Sequence, residues 1–122
     1  MANDFKRFTV PSVNTSSGAS ASAVYTVPAG AGSTALESII IGITLANKTT
    51  SGVTASVFLD NFDGSNDVFI VKDASIPAGS SLEVMSGNKI VVQNNGTTGD
   101  VLRVSSGTAT AVDATVTVLE DV

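Results

Sequence analysis

The side chains in this 122-residue chain that could do chemistry are few, and most are carboxylates: eleven Asp and Glu stand against six Lys and Arg. Histidine and cysteine are absent, which excludes a Ser-His-Asp triad, a Cys-His pair, thiolate zinc sites and disulfides. Glu37 and Glu83 each follow a Pro-Ala-Gly corner, and two carboxylates ~5–9.5 Å apart would suit glycoside hydrolysis. With no tryptophan and only Tyr25 and five phenylalanines, the chain offers little aromatic platform for a sugar, so solvated strand-end glutamates are the expectation. Asp60, Asp63 and Asp67 crowd three carboxylates into DNFDGSND, but their spacing is not that of an EF-hand calcium loop. Turn-forming Asp and Asn residues that bond their own backbone are expected there. No phosphate-cradling glycine loop occurs, so no cofactor is expected. Asn14, Asn47 and Asn95 stand in N-x-[ST] contexts, read as products of an Asn- and Thr-rich surface because no secretion-signal run precedes them.

A net charge of −5, with Lys6-Arg7 the one basic pair, argues against nucleic acid or an anionic membrane as partner. Charged residues make up only 14% and aromatics 5%, while Val, Ile and Thr dominate the apolar and β-branched content. That composition suits a sheet protein with much of its surface hidden in an assembly. MANDFKRF lacks the apolar run of a signal peptide and no stretch approaches a membrane span, so synthesis in a cytoplasm is expected.

The elements that must position these residues are strands. The plainest is Leu36 to Asn47, LESIIIGITLAN, where Ile39, Ile41, Ile43 and Leu45 alternate with Ile40, Gly42, Thr44 and Ala46. Burying the first four would contribute roughly 6–12 kcal/mol, and Ile41→Asp is expected to prevent folding. Val53 to Leu59 is expected to pair with this strand as a hairpin, and Val68 to Lys72 to form another buried strand. Leu82–Met85 and Ile90–Gln93 flank Ser86-Gly87-Asn88-Lys89, which reads as a second hairpin. In the last strand Val112, Ala114, Val116, Val118 and Glu120 share one face. Val27-Pro28-Ala29-Gly30 is echoed by Ile76-Pro77-Ala78-Gly79, each leading to a Leu-Glu pair, which suggests either two related Greek-key halves or the same turn chemistry used twice. The expected fold is all-β: one antiparallel β-sandwich of jelly-roll or Greek-key type with about eight strands over residues 24–122. Residues 1–23 are expected as an extended N-terminal arm and flexible linker, with Asp4 to Val10 either arm or short edge strand.

The stretches TVPAGAGSTALESIIIGITLAN and FIVKDASIPAGSSLEVMSGNKIVVQ, with the closing DATVTVLEDV, resemble small virion structural proteins of tailed bacteriophages, especially those of cyanophages. The resemblance covers most of the chain from Tyr25 onward. It implies a non-enzymatic β-sandwich of the virion whose partner is the major capsid protein or another virion protein. Capsid decoration, or cement, on the outer surface of the shell is the leading expectation. A neck, tail or fibre position is the alternative, and a carbohydrate-binding module is a more distant one. A trimer, or a monomer at quasi-equivalent positions, are the oligomeric states this implies. Phe5, Lys6, Arg7 and Phe8 are the candidate capsid-contact residues, combining apolar contact with charge at its edge.

Overall fold

The computed structural model describes residues 3–62, 67–85 and 88–121. They form a sandwich of two antiparallel sheets with nine strands: β1 (Asn3–Val10), β2 (Ser22–Thr26), β3 (Leu36–Asn47), β4 (Val53–Asp60), β5 (Asp67–Ile76), β6 (Ser81–Glu83), β7 (Ile90–Asn94), β8 (Val101–Ser106) and β9 (Val112–Asp121). One sheet has the order β1-β9-β3-β6, with β7 also on β3; the other has the order β2-β8-β4-β5. The core lies between them and is built of Val, Ile, Leu and Ala, among them Ile40, Ile43, Leu45, Val57, Val92, Leu102, Val104, Val116 and Val118.

The central strand has the expected bounds, but its faces are not those of an unbroken alternation. The register shifts between Ile40 and Gly42, so a bulge reverses the alternation within the strand. Leu36, Ser38 and Ile40 face inward before the bulge, and Ile43, Leu45 and Asn47 after it. Ile39 and Ile41 are therefore only half-buried, which undercuts the expectation for Ile41→Asp.

Neither expected hairpin forms. β4 belongs to the sheet opposite β3 and pairs with β5 and β8. β6 and β7 both pair with β3, at Thr44–Ala46 and Leu36–Ile40 respectively, one beyond the other along the same edge. Ser86 and Gly87, at the centre of the expected second turn, lie outside the described residues. β5 is an edge strand, with Val68, Phe69 and Lys72 exposed, where a buried strand was expected.

The N-terminal segment is not an arm. β1 pairs with β9 along its whole length, from Asn3↔Asp121 to Val10↔Ala114. The following loop also belongs to the body: Val13 is fully buried and its N–H donates to the carbonyl of Val112. Polar composition had suggested a linker, but a single apolar residue at the right position suffices to anchor a loop.

The repeated Pro-Ala-Gly corner corresponds to a two-fold relation in the topology. β2, its corner, β3 and β4 are matched by β5, its corner, β6 with β7, and β8. Exchanging the halves leaves the order β2-β8-β4-β5 unchanged. Each corner is clamped by a buried asparagine ending a strand of the other half. Asn47 Nδ2 donates to the Ile76 carbonyl at 3.0 Å, and Asn94 Nδ2 to the Val27 carbonyl at 2.8 Å. Each asparagine also accepts from a backbone N–H two residues on, Thr49 at 2.9 Å and Gly96 at 2.7 Å. Donating to these corner carbonyls is what the two asparagines contribute.

Candidate functional site

The four expected contact residues lie on β1 and are divided between its faces, because successive side chains of a strand point oppositely. Phe5 and Arg7 face outward, whereas Lys6 and Phe8 face toward the core. Phe8 packs on Tyr25 with ring centroids 4.8 Å apart.

Phe5 starts a row of apolar residues that crosses the outer face of the first sheet. In register it stands opposite Leu119, Leu119 opposite Ile39, and Ile39 opposite Val91. Phe5 is 74% exposed and Val91 59%, with Leu119 and Ile39 half-buried between them. The next row toward the other end of the sheet is Arg7, Thr117 and Gly42, and beyond it come Thr9, Thr115, Thr44 and Glu83. An apolar band on four strands, bordered by threonines and one arginine, matches the anatomy of a contact surface.

Behind this face lies a buried polar cluster drawn from four strands. Glu120 on β9 is 2% exposed. Its Oε2 accepts from the Tyr25 hydroxyl at 2.6 Å, and that hydroxyl is 2.9 Å from Ser38 Oγ. Lys6 Nζ reaches Oε1 at 2.9 Å as an ion pair. The contact with Glu120, followed by its charge, raises the Lys6 ammonium above its ordinary value. Burial, then the hydrogen bond to Glu120, raises the Tyr25 phenol well above its ordinary value. The alternation of β9 already put Glu120 on the apolar face, the one sequence signal of this cluster. Its partners, distant in the chain, were not legible.

Beside Glu120 is a cavity of about 590 Å³, walled by Pro28, Ala29, Ala31, Ala35 and Leu36, with Lys6, Glu37 and Glu120 as its charged groups. The loop forming its wall is closed by the Gly30 N–H donating to the Thr34 carbonyl at 2.8 Å, and its turn places Gly32 and Ser33 at positive φ.

Glu37 and Glu83 are not brought together. Glu83 accepts from Thr44 Oγ1 at 2.7 Å, and Thr44 lies seven residues beyond Glu37 on β3. That separation is about 20 Å, too far for a carboxylate pair. Asp60 is bound by Arg103 Nε at 3.0 Å, Asp67 is opposite Asp60 in register, and Asp63 lies outside the described residues. No group of three metal-ligating side chains occurs among the described residues. Asn47 is 2% exposed and engaged in its corner, which leaves no room for a glycan. No helix among the described residues is long and apolar enough to cross a membrane.

No protein-family model matches the chain, and no curated protein matches it.

Proposed function

We propose that the protein is a non-enzymatic structural component of a phage virion, a decoration protein that docks on the outer surface of the capsid shell through the outer face of the β1-β9-β3 sheet. The observation that carries this reading is the Phe5, Leu119, Ile39 and Val91 row, an apolar band whose two ends, Phe5 and Val91, are open to solvent on the outer face of the sheet. The resemblance from Tyr25 onward supplies the partner class, the major capsid protein. Docking spreads contact over neighbouring capsid subunits, so separating them must also break those contacts, and bound copies stabilise the shell by mass action.

Deleting residues 1–11 is a poor test, because it would strip an edge strand and the Lys6 ion pair along with Phe5. Replacing Phe5 and Val91 together by serine is the appropriate one. Both side chains are exposed, so the melting temperature should stay within a few degrees of wild type while binding to undecorated capsids falls at least about tenfold. Unchanged binding by the folded double variant would refute the docking face. Occupancy confined to one vertex would favour the neck or tail alternative.

A further inference from the structure

We propose that the cavity beside Glu120 is a binding site for a primary alkylammonium group. This does not depend on the proposed role in a virion. The cavity, about 590 Å³, is of the size that holds small ligands. Its walls of Pro28, Ala29, Ala31, Ala35 and Leu36 suit an aliphatic stem. Its charged groups are two carboxylates, Glu37 and Glu120, against the single ammonium of Lys6, so one more positive charge completes the balance. Glu120 Oε1 is buried and is met by the Lys6 ammonium at 2.9 Å, so the fold itself shows that this oxygen takes an ammonium. Lys6, which approaches it, is 44% exposed and can swing into water at little packing cost. An ammonium entering along the apolar walls would donate to Oε1 in place of Lys6, whose own ammonium stays at the water-facing mouth, so that two positive charges face the two carboxylates. A divalent cation fits poorly beside the Lys6 charge, and an anion would meet a net negative site.

The experiment is an NMR titration of the full chain with n-butylammonium chloride, following the methyl groups of Ala29, Ala31, Ala35 and Leu36. Saturable shifts are expected at those methyls, with binding about tenfold tighter than that of 1-butanol, which shares the stem but lacks the charge. Glu120→Gln keeps an acceptor for Tyr25 and should abolish the preference for the amine. Lys6→Met removes the internal competitor and should tighten butylammonium binding severalfold, with a larger rise in melting temperature on adding the amine than wild type shows. Equal binding of nα-acetyl-lysine methylamide would point to a partner protein's lysine as the source, and binding of butylammonium alone to a free amine. The proposal is overturned if no saturable shifts occur, if 1-butanol binds equally well, or if Lys6→Met fails to tighten binding.

Discussion

Raising the pH should destabilise this fold through Tyr25, the only tyrosine in the chain. Its hydroxyl is a donor to a buried carboxylate, so ionising it would set two negative charges 2.6 Å apart. The phenol's folded value is accordingly raised above its ordinary 10.0, burial being the larger cause. A group whose value is higher in the folded state contributes stability that is complete below the unfolded value and lost as the pH rises toward the folded one. Above pH ~10 the unfolded chain gives up the Tyr25 proton while the native state keeps it, so stability falls by at most about 1.4 kcal/mol per pH unit from this group. Lys6, also raised, works in the same direction at slightly higher pH. The assay is urea denaturation at a series of pH values from 8 upward, spaced about half a unit apart, with tyrosinate absorbance recorded on the native protein. Tyr25→Phe should start less stable by about 2–4 kcal/mol, having left Glu120 Oε2 without its donor, but should show a shallower decline above pH ~10. Ordinary titration of Tyr25 near 10.0 in a protein that remains folded would refute the reasoning.

Three further outcomes follow from the packing. Ile40→Asp should prevent folding, because Ile40 is fully buried, whereas Ile41→Asp should give a soluble, cooperatively melting protein that has lost about 1–3 kcal/mol, as circular dichroism melts would report. Asn47→Ala should cost about 1–3 kcal/mol in denaturant titrations, since it removes the buried donor to the Ile76 carbonyl, while the Pro77 and Ser51 carbonyls keep the Ser80 N–H and the Thr49 hydroxyl. Lys6→Met, tested without added amine, should destabilise the protein at neutral pH by leaving the Glu120 charge without its counter-ion, and Glu120→Gln in the same chain should restore part of the loss.

The class of fold was legible because β-branched residues recur at period two between turn clusters, and the inward face of β9, Glu120 included, followed from alternation alone. The faces of β3 were not, because the three isoleucines suit either side and only Gly42, a lone glycine inside the strand, marks the bulge that reverses them. Strand pairing was not legible for a related reason. Short loops suggested neighbours in one sheet, but the chain passes to the opposite sheet after β3, and β6 and β7 share the long edge of one partner in place of pairing with each other. The corner echo proved the more informative signal, its two halves meeting through Asn47 and Asn94. As for the site, Phe5 to Phe8 were read as one patch, which β geometry divides between an outer apolar row and an inner ion pair. The remainder of that row, Leu119, Ile39 and Val91, comes from strands far apart in the chain and is visible only once their register is known.

The proposed docking through the outer sheet face is tested most directly by a cryo-electron density map of the particle proposed to carry the protein, with the protein located and its orientation resolved. The account predicts copies arrayed over the whole shell, with Phe5, Ile39, Val91 and Leu119 turned toward capsid subunits. Copies held by any other face, or a particle that lacks the protein, would contradict it.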